Sequence, residues 1–187
     1  MAAVAGTAEV ATPELAGSRV RLRPLRAEDA GALFRLRSDP RVMRYWSHPP
    51  WTEPAQAAEY LAKLLRESDG AHSWAVTHAG ADALVGTASL FAISRAHRRA
   101  EIGYSLAADL WGRGYAQDAL RLVLDFAFMT LGVERVEADV DPRNDRSCRL
   151  VERLGFVREG LLRSRWRVGD EVTDSAMYGL LRSVYRG

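Results

Sequence analysis

The chain has 187 residues, of which 48% are apolar and 27% are charged. A chain of this length and composition buries enough surface to form one folded domain, which excludes the disordered and fibrous classes. The formal net charge of +2 does not indicate a nucleic-acid-binding surface, and no apolar run approaches the ~18 residues that cross a membrane.

The cysteine content and the N-terminus indicate the compartment and the domain boundaries. Cys148 is the single cysteine, so no internal disulfide can form and a reducing, cytoplasmic location is expected. Residues 1–18 are rich in Ala, Gly and Thr, and they carry Glu9 and Glu14 but no basic start, which argues against a secretory signal. We expect a loosely ordered tail over residues 1–18 and one folded domain over residues 19–187.

The first half of this domain is predicted to contain one strand, two helices and a three-stranded meander. The first helix stops before Asp39-Pro40, because the residue before a proline avoids helical geometry. The turn around Gly80 favours antiparallel pairing of the strands on either side of it. The predicted elements are a strand from residue 20 that ends near Pro24, helices over 28–38 and 53 or 54 to 67 (closed by Asp69-Gly70), and strands over 73–77, 83–93 and 99–106.

The second half is predicted to alternate strands with helices and to end in a hairpin. Apolar residues recur at intervals of three and four over residues 116–131, which predicts a long helix ended by Gly132. Asn144 or Asp145 caps a shorter helix that ends at Gly155. The strands of this half are expected near residues 136–140, 157–168 and 172–181. This order of elements is typical of a mixed α/β domain.

A glycine-containing segment joins the strand that ends near Leu106 to the long helix. Gly112 and Gly114 allow the backbone to turn tightly and to direct several N–H groups toward one concave spot. The helix that starts near Tyr115 adds its unpaired N–H groups, and Arg113 adds a positive charge. The segment therefore predicts a phosphate or pyrophosphate site, although two glycines before a helix also form ordinary turns. Its spacing matches neither the P-loop nor the G-x-G-x-x-G pattern, which disfavours a kinase or a Rossmann dehydrogenase.

Four segments of the chain together resemble a known family. They are Val20-Arg21-Leu22-Arg23-Pro24-Leu25, Glu101-Ile102-Gly103-Tyr104-Ser105-Leu106, Trp111-Gly112-Arg113-Gly114-Tyr115-Ala116, and Asn144-Asp145-Arg146-Ser147 followed by Glu152-Arg153-Leu154-Gly155-Phe156. In this order and spacing the chain resembles the GNAT superfamily of acyl-CoA-dependent N-acyltransferases, in particular the RimJ/RimL-type branch of ribosomal-protein N-terminal acetyltransferases. The resemblance covers residues 19–181. It implies a single α/β domain whose mixed, mostly antiparallel sheet is splayed between its fourth and fifth strands and flanked by about four helices.

The resemblance also implies that acetyl-CoA binds as co-substrate and that no metal is needed. The pantetheine arm is expected between the splayed strands, hydrogen-bonded to the backbone of Tyr104, Ser105 and Leu106. The pyrophosphate is expected on the glycine-containing segment, whose residues are Gly112, Arg113, Gly114, Tyr115, Ala116 and Gln117. Trp111 stands where the family's Q/R-x-x-G-x-G/A motif has Gln or Arg. Since backbone amides hold the phosphates, we expect this departure to change detail and not binding.

Two residues at the start of the last predicted helix are implied to act near the thioester. Asn144 is expected to contact the cofactor arm, although helix capping alone would also explain it. Many members of the superfamily have a tyrosine seven residues after this Asn as proton donor to the departing thiolate, and Val151 stands there in this chain. Ser147 is therefore the candidate acid. Because a free thiol has a pKa of ~8.5, the thiolate needs little help near neutrality.

The attacking amine must first lose a proton, and two carboxylates are candidate bases. Glu101 lies on the opposite face of its predicted strand from Ile102 and Tyr104, where it can open on the acceptor side and take the proton directly or through water. Asp139 lies on the neighbouring strand, at a position where some relatives carry a catalytic Glu. Either carboxylate is alternatively a solvated strand acid.

Few other residues indicate chemistry. An aromatic-rich loop between the early helices overlies the acceptor site in the family, and its residues are Arg41, Tyr45, Trp46, His48, Pro49, Pro50 and Trp51. Trp46 and Trp51 are equally candidates for core packing. The four histidines show no metal-ligand spacing, and one cysteine cannot build a thiolate zinc site.

These patterns and the resemblance predict an N-acetyltransferase that moves an acetyl group from acetyl-CoA to a primary amine by direct attack. The acceptor is a protein N-terminus or a small-molecule amine, and the enzyme is a monomer or a homodimer with no nucleic-acid or membrane partner. Two alternatives stay open. One is a non-catalytic acyl-CoA-binding module, which Trp111 and the missing tyrosine would favour, and the other is an acyltransferase for a larger donor such as succinyl-CoA.

Overall fold

The strands of the protein form one mixed sheet. The computed structural model describes residues 10–66 and 71–187, and this part contains eight strands. They are β1 (Leu15–Ala16), β2 (Val20–Pro24), β3 (His72–His78), β4 (Leu84–Ser94), β5 (Arg99–Leu106), β6 (Arg135–Val140), β7 (Val157–Val168) and β8 (Glu171–Leu181). Their order in the sheet is β1-β2-β3-β4-β5-β6-β8-β7, and every neighbouring pair is antiparallel except β5 and β6. The predicted mixed, mostly antiparallel sheet is confirmed.

The described residues form five α-helices around this sheet, against the four that were predicted. They are α1 (Ala30–Ser38), α2 (Pro40–Met43), α3 (Pro54–Arg66), α4 (Tyr115–Asp125) and α5 (Asp145–Arg153). The additional helix is α2, a single turn that begins where the sequence predicts a stop. Asp39 accepts a hydrogen bond from the backbone N–H of Arg41 at 2.9 Å and so caps the new helix. Proline is compatible with a helix at its first position, because no N–H is needed there.

The long helix predicted over residues 116–131 is present but changes its geometry part of the way along. It is α-helical as α4 and then continues as a π-helical turn over Phe126–Thr130, with Leu131 N–H donating to the carbonyl of Phe126 at 3.1 Å. Phe126 and Phe128 are both buried there. The predicted end of the preceding helix at residue 67 and its closing turn at Asp69-Gly70 lie outside the described residues.

The sheet opens between β5 and β6. These are the fourth and fifth of the strands predicted from the sequence, as the resemblance implies, because the two-residue β1 was not among the predicted strands. These two parallel strands pair at three positions, which are Arg99 with Arg135, Ala100 with Val136 and Glu101 with Glu137. Beyond Glu101, β5 continues to pair with β4 as far as Leu106, while β6 pairs with β8 as far as Val140. The facing edges of residues 102–106 and 138–140 are therefore not paired with each other, and a cleft begins where the strands separate.

The N-terminal segment lies against the sheet in its described part. Residues 1–9 of the predicted loose tail lie outside the described residues. Farther along, Leu15 pairs with Leu22 of β2, and the indole N–H of Trp74 donates to the carbonyl of Pro13 at 2.7 Å. Trp74 is fully buried, so its N–H requires an acceptor, and the N-terminal segment supplies one. Residues 10–18 thus differ from the loose tail that composition alone predicts.

Candidate active site

The separation of β5 and β6 forms a cleft of about 1060 Å³. This volume lies at the upper end of the roughly 300–1,000 Å³ that small-molecule sites span, and it leaves room for an extended ligand and a second substrate. All of the residues expected to bind or react line this cleft except Arg113. Those that line it are Glu101, Tyr104, Ser105, Leu106, Gly112, Gly114, Tyr115, Ala116, Gln117, Asp139, Asn144 and Ser147.

The segment between β5 and α4 forms a concave group of backbone amides. Gly112 and Gly114 have φ of 74° and 82°, in the left-handed region that favours glycine. Gly114 is the N-cap of α4 and offers no side-chain cap, so the first N–H groups of the helix, at Tyr115 to Gln117, have no partner within it. Arg113 is exposed beside them. These amides and the positive end of α4 fit a pyrophosphate group.

The N-terminal segment approaches this loop, a contact that the sequence does not predict. Asp118, in the first turn of α4, accepts hydrogen bonds from the backbone N–H groups of Arg19 at 2.7 Å and Val20 at 3.2 Å. A Cβ added at Gly114 would lie 3.3 Å from Nε of Arg19. The arginine at residue 19 is therefore a second cation beside the loop. An acidic residue in a first helical turn is ordinarily a partner of the helix dipole, so the sequence carried no signal for this contact.

Trp111 links the loop to the end of β5. Its indole N–H donates to the carbonyl of Leu106 at 2.8 Å, and the guanidinium of Arg146 lies 5.1 Å from its ring centre. Trp111 packs against both apolar clusters of the core. It also orients the last carbonyl of the open strand and holds a cation at the start of α5.

The start of α5 brings Ser147 against β5. Oδ1 of Asn144 accepts a hydrogen bond from the backbone N–H of Ser147 at 3.1 Å, so Asn144 caps the helix. The hydroxyl groups of Tyr104 and Ser147 lie 2.6 Å apart. Burial raises the pKa of Tyr104 to about 12, although the hydrogen bond to Ser147 opposes this shift. The sequence predicts a role for the Tyr104 backbone but not this hydroxyl pair, because the contact depends on how α5 sits against the open strand.

Glu101 lies at the point where β5 and β6 separate. Burial raises its pKa, repulsion from Glu137 and Asp139 acts in the same direction, and Arg99 and Arg165 oppose the shift. Glu101 has no hydrogen-bond or ion-pair partner among the described residues. Asp139 lies on β6 and also lines the cleft. Both candidate carboxylates are thus in the cleft, with Glu101 at its vertex.

Small hydroxyl residues form part of the sheet surface in the cleft. The hydroxyl of Thr87 on β4 lies 2.8 Å from that of Ser105 on β5, and the hydroxyls of Ser73 and Ser89 are 3.1 Å apart. All four residues line the cleft. This surface is not predicted from the sequence, because the four positions belong to three strands whose register is fixed only in the folded sheet.

The aromatic-rich loop after α2 contributes to both the core and the cleft. Tyr45 and Trp46 line the cleft. Trp51 packs on the apolar cluster under the early helices, and its ring centre lies 5.6 Å from that of Tyr60. Trp46 packs on the same cluster and also lines the cleft, so it contacts both the core and the candidate site.

Neither a metal-binding cluster nor a helix able to cross a membrane is found among the described residues. No group of three or more His, Cys, Asp or Glu side chains within residues 10–66 and 71–187 is placed to hold a metal ion. No helix in the same part of the chain is long and apolar enough to cross a membrane.

Comparisons with known proteins agree with this geometry. The acetyltransferase (GNAT) domain model matches residues 19–157. An uncharacterised N-acetyltransferase of Bacillus licheniformis, p20, is 34% identical over 171 residues, which cover 90% of this chain and 96% of the relative. The spermidine N(1)-acetyltransferase of Escherichia coli K12 is 26% identical over 166 residues, with 89% and 88% covered. The crystal structure of spermidine N-acetyltransferase from Vibrio cholerae with CoA and spermine has a TM-score of 0.80 at 26% identity, and the match covers 89% of this chain and 97% of that one.

Proposed function

Since the chain belongs to the GNAT acetyltransferase family, we propose that it acetylates a primary amine by direct attack in the cleft between β5 and β6. It is an acyl-CoA-dependent acetyltransferase, and acetyl-CoA is its co-substrate. One observation carries the proposed mechanism. Glu101, a carboxylate without a counter-ion among the described residues, lies where the strands separate, and the amide-rich loop lies at the other end of the same strand.

The residues present suit acetyl-CoA as a ligand. The amides of residues 112–117 and the charge of Arg113 would hold its pyrophosphate, and the free edge of β5 at residues 104–106 would hold the pantetheine arm. Asn144 would border the arm at the start of α5. When bound, acetyl-CoA supplies an activated thioester, whose carbonyl carbon forms a bond to the amine nitrogen while its bond to sulfur breaks.

Glu101 suits the role of the base. An α-amino group has a pKa of ~7.7–8.0 and a lysine side chain of ~10.4, so the acceptor arrives mostly protonated. A carboxylate whose pKa is raised is a stronger base than an ordinary one. Glu101 then takes the proton of the ammonium group, directly or through water. Asp139 is the second carboxylate in reach of the same cleft.

The hydroxyl pair of Ser147 and Tyr104 suits the opposite proton transfer. We assign Ser147 as the group that gives a proton to the departing sulfur, with the Tyr104 hydroxyl at 2.6 Å behind it to replace that proton. A backbone N–H of residues 104–106 donates to the thioester oxygen as it gains negative charge. Every step is thus positioning and proton transfer by groups on β5 and α5.

Two classes of primary amine are candidate acceptors. The RimJ/RimL-type resemblance favours a protein N-terminus, whereas the names of two relatives describe enzymes that act on spermidine, a small amine. Both are primary amines, and both fit the mechanism above.

The test is release of free thiol from acetyl-CoA in the presence of single amines. The panel contains a peptide with a free N-terminus, an N-terminally blocked lysine peptide, spermidine and free amino acids. We expect thiol release with at least one amine and acetylated product by mass spectrometry, with Cys148→Ser as the background without a protein thiol. Tight CoA binding without thiol release from any amine would instead support a binding module, and turnover with succinyl-CoA alone would support the larger donor.

A further inference from the structure

The strand β7 has an irregularity where it passes the cleft. The pairing of β7 with β8 shifts register between Leu162 and Trp166, and Ser164 in this bulge has φ of 52°. The N–H of Ser164 donates to Oδ1 of Asp174 at 2.8 Å, which holds the bulge in this conformation. Bulges redirect side chains and are frequent beside functional sites, and left-handed backbone at a residue other than glycine costs energy. The residue after the bulge position, Arg165, lines the cleft.

The charged end of Arg165 is held near the cleft without an acidic partner. Its guanidinium lies 5.3 Å from the ring centre of Trp166, which also lines the cleft. The indole N–H of Trp166 donates to the buried hydroxyl of Ser175 at 3.0 Å, so the ring is fixed. Within residues 10–66 and 71–187 no carboxylate lies within ion-pair distance of Arg165. Its charge nevertheless acts on Glu101, whose pKa it lowers against the larger effect of burial.

A second arginine lines the same cleft and is buried. Arg37 is 7% exposed and lies among three aromatic rings, with its guanidinium 4.8 Å from Trp46, 5.2 Å from Trp51 and 4.7 Å from Tyr60. Burial lowers its pKa, and Tyr60 opposes the shift. One terminal nitrogen of the guanidinium lies 3.2 Å from Nε2 of His48, but Nε of Arg37 is buried without a hydrogen-bond partner, and no carboxylate of the described chain pairs with this residue. A buried cation without a counter-ion is costly.

Arg146 and Arg153 line the cleft from α5, on the cofactor side. Four further arginines around the part of the cleft that contains Arg37 and Arg165 are paired with carboxylates. The pairs are Arg41 with Asp39, Arg44 with Glu171, Arg99 with Glu137, and Arg143 with Asp141. We define the acceptor side of the cleft by Arg37, Trp46, Glu101, Asp139, Arg165 and Trp166. A polyamine there would meet the two unpaired cations, whereas a molecule with one amine and one anionic group would satisfy both signs of charge.

We propose that the acceptor is a small amine that carries a carboxylate, as a free amino acid does, and that Arg165 binds the carboxylate while Glu101 faces the amine. This inference rests on the proposed function of the cleft. Arg37 adds positive potential. Trp46, Tyr60 and Trp166 line the cleft and provide apolar surface for the side chain of such an acceptor. Arginine is suited to the task, because its planar fork matches a carboxylate.

The experiment compares a set of free amino acids with their C-terminal amides at saturating acetyl-CoA. The amides lack the negative charge of the acids. Their amines are also less basic, so a larger fraction of the amide is present as the neutral, reactive amine. A preference for the acid is therefore opposed by amine basicity and requires recognition of the carboxylate. We expect the wild-type protein to use at least one acid with a higher kcat/KM than its amide and than spermidine. The comparison is made at a pH above the acidic limb of each variant, so that the effect of Arg165 on the pKa of Glu101 does not enter. There Arg165→Gln is expected to lower kcat/KM for that acid by about tenfold to a hundredfold, the range for a lost charge-assisted hydrogen bond, and to lower that of the amide much less.

The matched control is Arg167→Gln on the same strand. Arg167 is exposed, pairs in register with Val172 and does not line the cleft, so this variant is expected to behave as the wild type with every amine. Equal use of acids and amides, a preference for spermidine or for peptide N-termini, or an equal loss for acid and amide in Arg165→Gln would overturn the inference. Those outcomes would leave the proposed acetyltransferase mechanism standing, whereas failure to acetylate any amine would remove the mechanism itself.

Discussion

Glu101 and Glu137 face each other at the last paired position of β5 and β6, yet their surroundings differ. Glu137 accepts hydrogen bonds at 2.8 Å from both Arg99 and Arg135, and these outweigh the effect of burial and lower its pKa. Glu101 has no such partner in the described chain, and burial raises its pKa. The pKa values of two identical side chains are thus shifted in opposite directions by their neighbours. This arrangement is common where one carboxylate reacts and the other is structural.

This difference predicts how the rate depends on pH. The base must be ionised, so kcat/KM rises with pH through an acidic limb that lies above the ordinary carboxylate pKa of ~4.3. Glu101→Gln is expected to remove this limb and to lower kcat/KM by about 10²–10⁴-fold, the usual contribution of a general base. The measurement is a pH profile of kcat/KM for one amine, compared between variants.

Asp139→Asn is the matched variant for this prediction. This substitution removes the negative charge of Asp139, which raises the pKa of Glu101, so the acidic limb should remain and move to lower pH. Arg165→Gln removes a charge of the opposite sign and should move the limb to higher pH. If Asp139→Asn abolishes the limb while Glu101→Gln keeps it, the two carboxylates have exchanged roles.

At this scale the sequence predicts which residues are candidates but not which of them touch. Strand alternation indicates Glu101 and the family resemblance indicates Ser147 as candidates, because both rest on short stretches of sequence. The contact between Ser147 and Tyr104 depends on segments far apart in the chain, and so does the placement of Arg37 among aromatic rings without a carboxylate partner among the described residues. No pattern in one sequence fixes such distances.

At the scale of elements, strands and helices with clear periodicity were predicted within about one or two residues of their observed ends, a normal margin for such boundaries. The strand predicted over residues 99–106 coincides with β5. The departures are a helix of one turn at Pro40–Met43 and the bulge around Ser164. In both, the carboxylate of an aspartate, Asp39 or Asp174, accepts a hydrogen bond from a backbone N–H, and hydrophobic patterning does not report such bonds.

The loop between β5 and α4 gives a prediction at this scale. Gly114→Val places a β-branched side chain at φ of 82° and against Arg19, so it strains the backbone and displaces amides of the proposed pyrophosphate site. We expect the affinity for CoA to fall by about tenfold or more, as for loss of a charge-assisted hydrogen bond. Isothermal titration calorimetry with CoA measures this directly.

Gly80→Val is a control for backbone strain alone. Gly80 has nearly the same φ, 80°, but lies in the turn between β3 and β4, where a Cβ meets no atom within 4 Å. Both variants are expected to lose about 1–2 kcal/mol of unfolding free energy. CoA affinity in Gly114→Val equal to that in Gly80→Val would show that the loop does not hold the diphosphate.

On the scale of the whole molecule, parts of the chain that are distant in sequence border the cleft. The end of α1 and the loop after α2 supply Arg37 and Trp46, the hairpin of β7 and β8 supplies Arg165 and Trp166, and β5 supplies Glu101. An ion pair between Arg44 and Glu171 connects the loop after α2 to the hairpin. The four motifs of the sequence lie on β2, on β5, in the loop that leads into α4, and on α5, so they indicate the fold and the proposed cofactor side. On the acceptor side the sequence indicates Glu101, Asp139 and the aromatic-rich loop, whereas the placement of Arg37 and Arg165 beside them is visible only in the folded chain.

A buried ion pair joins the early helices to the sheet. Arg23 of β2 donates two hydrogen bonds to Asp29, at 2.8 Å and 2.7 Å, and its Nε donates to Asp82 of the turn before β4 at 2.8 Å. Arg23 and Asp29 are 2% and 6% exposed. Asp29→Ala leaves the buried guanidinium of Arg23 with Asp82 as its remaining carboxylate partner. We therefore expect this variant to lower the free energy of unfolding, measured by urea denaturation, by about 3 kcal/mol, the lower end of the range for a broken buried pair. Glu134→Gln, which removes an exposed partner of Arg98, should cost about 0–1 kcal/mol.

The same pair predicts how stability depends on pH. Burial alone would raise the pKa of Asp29, but the hydrogen bonds from Arg23 and from the backbone of Arg26 outweigh it, and the pKa is lowered. A carboxylate whose folded pKa is lowered stabilises the fold above its unfolded pKa of ~3.9, and this contribution is lost as the pH falls through the lower, folded value. The stability difference between wild type and Asp29→Ala should therefore be full at neutral pH and shrink in acid below that range. A difference that is constant from neutral pH into strong acid would mean that Asp29 stabilises the early helices by packing and not by its charge.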